Sequence, residues 1–403
     1  MLTPVSCITG APGSLVGIAA PTSGRPDLRN LLPRLPVPAP ALFLIAAAVA
    51  ADLVPQLGGL SIRTDQAIVT VALVVILFEG GMQIGWARLR PAVAAVVWLG
   101  LAGTAVTAAA MAGLAHYAFG FDWRAALLVG AALAPTDPAV VFSVLGKREI
   151  AGRSGTLLEG ESGANDPVGI ALMVSLLAAH GATWSAVGLG AGRFGVQLGV
   201  GLVFGAAGGL LLLQAVRRVR LPFGALYPAL TMAVAGGLYA ATAALGGSGF
   251  LAVFIAGIVV GDAPGPVKRK VARFAGTLAG LAEVVAFVVL GLSVEFTALI
   301  EGSRLWPALG MAALLIVVVR PLFVGALLAP VRLPRGERLF VLFAGLKGAV
   351  PILLGTYVLV EGVARAGEIY DIIFVVVLVS VIVQGGLVPT MIRLWRVPIR
   401  GST

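Results

Sequence analysis

Ala134-Pro135-Thr136-Asp137-Pro138 interrupts a stretch of chain that is otherwise apolar. Proline has no N–H to donate and its ring crowds the preceding turn, so two prolines here break regular helical hydrogen bonding and leave backbone carbonyls free. Those carbonyls, the Thr136 hydroxyl and the Asp137 carboxylate are hard oxygen donors, the set that a dehydrating Na+ ion requires. Broken helices near the middle of a bilayer are a recurrent place for such donors to converge. The plainer reading is a proline kink with a capping aspartate.

A second polar run, Leu158-Glu159-Gly160-Glu161-Ser162-Gly163-Ala164-Asn165-Asp166-Pro167, leads directly into an apolar stretch that ends near Leu177. Helical spacing of four sets Glu161 beside Asn165 and Ser162 beside Asp166. Burial in a low-dielectric cavity disfavours the charged form of a carboxylate, which brings a metal cation and a proton into competition for it. Asp166, close against the apolar run, is the expected place of that competition. An acidic loop ahead of a proline-initiated helix is the alternative, and it suits Glu159 best.

Charged groups at membrane depth cost roughly 2.5–3.5 kcal/mol each on the insertion scale, so they mark pairing or function. Arg320 ends Leu315-Ile316-Val317-Val318-Val319, and Lys347 lies within Gly345-Leu346-Lys347-Gly348-Ala349-Val350-Pro351. Each is expected to pair with a carboxylate from another helix, with Glu161 the leading partner for Arg320. Lys347 has the alternative of snorkelling to an interface. The glycines and proline around it suggest a second interrupted helix, in a position matching the Thr136-Asp137 break, and two such breaks suggest inverted repeats that cross at the site. Glu79 is a candidate accessory group at an ion entrance or a helix end; Glu283 and Glu295 have weaker claims.

The elements that must position these residues follow from composition. Of 403 residues, 59% are hydrophobic and only 11% charged, far beyond the apolar share of an ordinary soluble domain. Windows of about 20 apolar residues recur with short basic breaks, the length that hydrocarbon thickness demands. Twelve spans are expected, beginning near Val37, Gln66, Pro91, Trp123, Thr156, Ala186, Phe223, Phe250, Ala275, Leu305, Arg338 and Ile369, with Gly246 to Gly249 making the seventh and eighth a tight hairpin. The fold class is thus an all-α membrane protein. A single Cys7 excludes an intrachain disulfide, and His116 and His180 are too few to suggest a metal cage.

Basic residues test the span count, because they gather in alternate loops when the spans are right. Alternate segments hold Arg25, Arg29 and Arg34; Arg88 and Arg90; Lys147, Arg148 and Arg153; Arg217, Arg218 and Arg220; Lys268, Arg269, Lys270 and Arg273; Arg332, Arg335 and Arg338; and Arg393, Arg396 and Arg400. The opposite segments hold only Arg63, Arg124, Arg304 and Arg365. Both termini are therefore expected on the cytoplasmic side of a plasma membrane. The net charge of +10 is accounted for by lipid orientation, and no nucleic-acid partner is expected. Residues 1–36 are expected to be a disordered or peripheral tail without a cleaved signal peptide, residues 37–397 the membrane domain, and 398–403 a C-terminal tail with no soluble domain beyond it.

These residues resemble the monovalent cation/proton antiporters, specifically the bacterial sodium/proton exchangers of the Asn-Asp subgroup. The resemblance covers about residues 37–395 and rests on LFEGG at Leu77 to Gly81, APTDPA at Ala134 to Ala139, EGESGANDP at Glu159 to Pro167, FLAVFIAGIVVG at Phe250 to Gly261 and GLKGAVPI at Gly345 to Ile352. It implies that Asp166 carries cation and proton, that Thr136, Asp137 and Ser162 help coordinate the ion, that Asn165 orients, and that Glu161 and Arg320 form a structural ion pair. It implies a sodium/proton antiporter fold: two crossed discontinuous helices in a core around 123–215 and 305–395, a dimerisation part made of the remaining helices, a homodimer, an elevator-like movement and a role in pH homeostasis. No cofactor is implied, only transported Na+ or K+ and H+. An Asn-Asp pair offers one ionisable group, so one cation would replace one proton and exchange should be electroneutral. Two departures are noted: the subgroup commonly has one more N-terminal span, and Lys347 stands where an arginine is usual, which loses the planar fork.

Competing classes fare worse. Gly246-Gly247-Ser248-Gly249 matches the GxSG of rhomboid-like serine proteases, but both histidines precede it and none follows. No HExxH supports an intramembrane metalloprotease. A passive channel has no need of a titratable aspartate beside a broken helix. A potassium/proton exchanger of the same fold is the nearest rival.

Overall fold

In this computed structural model the described residues are 38–145, 148–179, 184–219, 221–224, 226–263, 266–294, 297, 299 and 304–401. The tail at 1–36, the first span's start at Val37, His180, Glu295 and residues 402–403 lie outside them.

Sequence signals set where the helices begin. α1 (Ala39–Leu53) opens with proline in its first turn, where a missing N–H costs nothing. Ser61 caps α2 (Ile62–Leu89) by accepting the Thr64 N–H at 3.2 Å. α3 (Val93–Phe119) follows, with a π-helical turn at Leu99–Gly103. Asp122 caps α4 (Trp123–Leu133), accepting from the Arg124 and Ala125 N–H groups at 3.0 and 3.1 Å. The chain is then irregular through the two prolines and resumes as α5 (Ala139–Leu145). α6 (Arg153–Ala178) carries the Glu159 to Pro167 run without interruption, so the acidic loop considered as an alternative is not formed.

α7 (Trp184–Arg218), α8 (Leu226–Ala244), α9 (Gly249–Gly261) and α10 (Pro266–Leu292) follow. The turn between α8 and α9 uses Gly246 at φ +76°, and Ser248 caps α9 through the Leu251 N–H; the GxSG tetrad is thus a helix start. α11 (Leu305–Leu328), the interrupted pair α12 (Arg335–Phe343) and α13 (Ala349–Val360), and α14 (Ala366–Leu394) complete the series.

Counting each interrupted helix once gives twelve segments among the described residues, and all but one begin within about four residues of the expected positions. The exception is α10, which starts at Pro266 rather than near Ala275. Hydropathy registers only the apolar part, whereas Lys268 to Arg273 are good helix formers and extend the helix outward. Seven of the segments are long and apolar enough to cross a membrane unaided. α6 fails that measure because of its own charges, and α9 is too short at 13 residues. α9 packs against α2 so closely that a Cβ on Gly257 would overlap the Phe78 carbonyl oxygen, the small-residue approach typical of membrane helices. On α7, Leu202, Val203, Leu210 and Leu211 are all exposed, the apolar outer surface a lipid-facing helix needs.

The C-terminal tail has a backbone partner. Ile399–Gly401 is a short strand, antiparallel to Arg148–Ile150, and the Ala151 N–H donates to the Pro398 carbonyl at 2.9 Å. The tail thus bonds to the backbone linking α5 to α6.

Candidate functional site

The two interrupted helices meet at their breaks. The Asp137 N–H donates to the Leu346 carbonyl at 2.8 Å, joining the breaks by a backbone hydrogen bond. Gly348 lies so close that a Cβ there would overlap the Asp137 carboxylate. Helix ends carry partial charges, positive at the N-terminus and negative at the C-terminus, and the crossing places opposite charges against them. The Asp137 carboxylate accepts the Ala139 N–H at 2.8 Å and also bonds the Ala349 N–H, so it serves the N-termini of both α5 and α13.

Lys347, 2% exposed, serves the C-terminal end of α4. Its ammonium donates to the Ala134 and Pro135 carbonyls at 3.1 and 2.8 Å. Its hydrogen bonds thus go to backbone carbonyls rather than to a carboxylate, with Asp166 and Glu161 within charge–charge range of the ammonium, and its burial excludes snorkelling. The Lys347 N–H donates to Ser380 Oγ at 2.9 Å, and Ser380 in turn to Gln384 Oε1 at 2.6 Å, within a π-helical turn of α14 at Ser380–Gly385.

Arg320 does the same for α12. Its Nε donates to the Leu342 carbonyl at 2.8 Å and its Nη2 to the Val341 carbonyl at 3.3 Å. The same Nη2 lies 3.1 Å from Glu161 Oε1, with both side chains about 5% exposed. Arg320 Nε and Nη2 are committed in this way, while Glu161 Oε2 has no hydrogen-bond partner among the described residues. Glu159 instead pairs with Arg88 at 3.3 Å nearer the surface.

Around the first break the neutral polar groups interlock. Asn165 Nδ2 donates to Thr136 Oγ1 at 2.7 Å, while Asn165 Oδ1 accepts the Thr136 N–H at 3.2 Å. Ser162 Oγ lies 3.1 Å from Thr136 Oγ1. Asp166 is 7% exposed, yet its Oδ1 has no hydrogen-bond partner among the described residues. It is the uncommitted carboxylate beside a cluster of oxygens.

Asp166 and Asp137 line a cavity of about 320 Å³ with Glu79, Glu159 and Glu283. Glu79 accepts from the Gln83 amide and also lines a neighbouring cavity of about 550 Å³ with Arg273 and Thr277. Glu283, whose claim from sequence is weak, shares the cavity with Asp166. The signal available was its position as the one ionisable residue from Thr277 to Leu292. Among the described residues no group of three or more His, Cys, Asp or Glu has metal-cage geometry.

This arrangement of helices and polar groups is that of a known class. The chain belongs to the transmembrane sodium/hydrogen exchanger family, whose model matches residues 25–394. It is 36% identical over 361 residues to the K(+)/H(+) antiporter NhaP of Alkalimonas amylolytica, covering 87% of this chain and 61% of that protein. The Na(+)/H(+) antiporter ApNhaP of Aphanothece halophytica is 26% identical over 351 residues, covering 82% and 65%. The chain thus spans about three fifths of the length of the curated relatives it matches. The fold matches the sodium proton antiporter MjNhaP1 of Methanocaldococcus jannaschii at pH 8, with a TM-score of 0.71, 23% identity and coverage of 88% and 94%.

Proposed function

We propose that the chain is a secondary transporter that exchanges a monovalent cation, Na+ in the first reading, for H+, with Asp166 as the shared carrier. One observation carries this reading: a buried carboxylate oxygen without a donor, beside the hydroxyls of Thr136 and Ser162 and the crossing of two broken helices. In such a place either a cation or a proton satisfies the carboxylate, and alternation between them couples the two fluxes. Thr136, Asp137 and Ser162 complete the coordination of the ion, Asn165 orients Thr136, and Glu161 with Arg320 braces the core.

The core is assigned to residues around 123–215 and 305–395, and the remaining helices to a dimer-forming scaffold in a homodimer. Both termini face the cytoplasm of a bacterial inner membrane, on the strength of the basic residues, and the exchange serves pH homeostasis. K+ is the second reading, favoured by relatives at 34–36% identity that are named K(+)/H(+) antiporters.

Dye-monitored proton flux in inverted vesicles tests the function. Addition of Na+, K+ or Li+ should release the proton gradient, and Asp166→Asn should abolish that release for every cation. Unchanged flux in the variant removes Asp166 from the mechanism. The cation that half-saturates at the lowest concentration identifies the substrate.

A further inference from the structure

Five acidic residues line the cavity that Asp166 faces, and three have protein partners. Glu159 pairs with Arg88, Glu79 accepts from Gln83, and Asp137 accepts from the Ala139 N–H. Two oxygens are left: Asp166 Oδ1 and Glu283 Oε1, both buried and both without a hydrogen-bond partner among the described residues. They stand on different walls, Asp166 on α6 and Glu283 on α10. A buried carboxylate without a donor is costly; the ammonium of Lys347 acts on Asp166 but bonds two carbonyls, and two such carboxylates on residues lining one cavity suit a cation there.

The face of α10 that leads to Glu283 supports this. Gly276, Gly280 and Glu283 follow at helical spacing and all line the cavity. Nothing lies within 4 Å of a Cβ built on Gly280, so that side of the helix is open space. Gly276, Glu79 and Gln83 are shared with the neighbouring cavity lined by Arg273 and Thr277. The two spaces are therefore neighbours along α10, between its basic end and Glu283, and meet at Glu79 and Gly276.

Building on the proposed exchange at Asp166, we propose that Glu283 is a second cation-holding carboxylate, which draws the monovalent cation into the cavity and sets the affinity of the site. Asp166 remains the carrier that alternates between cation and proton. Glu283 touches the cation while it occupies the cavity and raises its local concentration there.

The test uses the full chain in inverted vesicles, with Na+ and K+ titrated separately. Glu283→Gln is expected to raise the half-saturating cation concentration by about tenfold, the loss of one charge interaction at a partly buried site, and to leave the maximal rate within about twofold, as loss of uniform binding does. Glu283→Asp restores most of the affinity. Purified Glu283→Gln protein is also expected to gain less thermal stability from added Na+ or K+ than the parent, because weaker binding stabilises less.

Half-saturation and cation-induced stabilisation equal to the parent's overturn the proposal. So does a Glu283→Gln protein that inserts normally but transports nothing at saturating cation, since Glu283 would then be an obligate carrier. Should Glu283→Gln fail to insert, Glu283→Asp carries the test, and an unchanged half-saturation in it counts against the proposal. Asp166→Asn is measured alongside: if it transports like the parent, the exchange reading itself fails, whatever Glu283 does.

Discussion

Asn165 and Thr136 are joined twice, the amide oxygen accepting the Thr136 N–H and the amide nitrogen donating to Thr136 Oγ1. Only a side chain with both an acceptor and a donor can do this, and an amide has both. The clasp ties α6 to the break between α4 and α5, and so fixes the backbone next to Asp166.

Asn165→Ala should therefore leave the Thr136 N–H buried and unpaired, at a cost of about 1–3 kcal/mol. The expected outcome is a lower unfolding temperature in detergent together with weaker cation dependence of proton flux. Asn165→Asp keeps the acceptor and loses the donor, so its stability should lie between those of the parent and the alanine variant. An alanine variant as stable as the parent would show that the clasp is idle.

The Glu161–Arg320 pair makes a sharper thermodynamic prediction. Removing one partner of a buried pair costs about 3–5 kcal/mol, because it strands a charge. Arg320→Met alone should thus destabilise strongly, and adding Glu161→Gln should recover part of the loss. Recovery will be incomplete, because Arg320 also serves the Val341 and Leu342 carbonyls. Thermal unfolding of the two single variants and the double variant measures the coupling.

Lys347 should be required for the break in α4 rather than for ion chemistry. Its two carbonyl bonds are charge-assisted, each worth about 1.5–3 kcal/mol. Lys347→Met is expected to lower stability and the maximal rate together, without the selective change in half-saturation expected of Glu283→Gln. A kinetic titration beside an unfolding scan separates the two.

Gly348 and Gly236 form a contrast between the crossing and the outer face of α8. A Cβ at Gly348 overlaps the Asp137 carboxylate, while one at Gly236 meets open space. Gly348→Ala should impair exchange through overpacking, which costs about 1–3 kcal/mol, and Gly236→Ala should transport almost as the parent does. Equal effects from the two would mean that the approach of Gly348 to Asp137 has no role in transport.

In the proposed mechanism Asp166 is the one alternating carboxylate, so one monovalent cation replaces one proton. Exchange is expected to run at the same rate with the membrane potential clamped at zero or at a negative value. A rate that follows the clamp would require a second charge in the cycle.

The spans were legible because lipid imposes one length and one composition on every helix, and the break at Pro135 and Pro138 because proline removes a specific donor. Glu161 and Arg320 could be paired in advance because each needed a buried opposite charge. The partners of Lys347 could not, since backbone carbonyls carry no mark in the sequence. Glu283 carries little signal because it stands alone in an apolar helix, and only the three-dimensional cavity brings it together with Asp166. The β-pairing of Ile399–Gly401 is too short to leave a periodic signal.

The hydrogen bond from Asp137 to Leu346 has a mechanical consequence. Two chain breaks distant in sequence share a rivet at their crossing, reinforced by Lys347 on one side and Ala349 on the other. Neither half-helix can slide past the other without shearing several buried bonds at once. If exchange runs as proposed, a displacement that takes the aspartate at 166 from one water compartment to the other would carry the whole crossing as cargo, with the hinges elsewhere in the bundle.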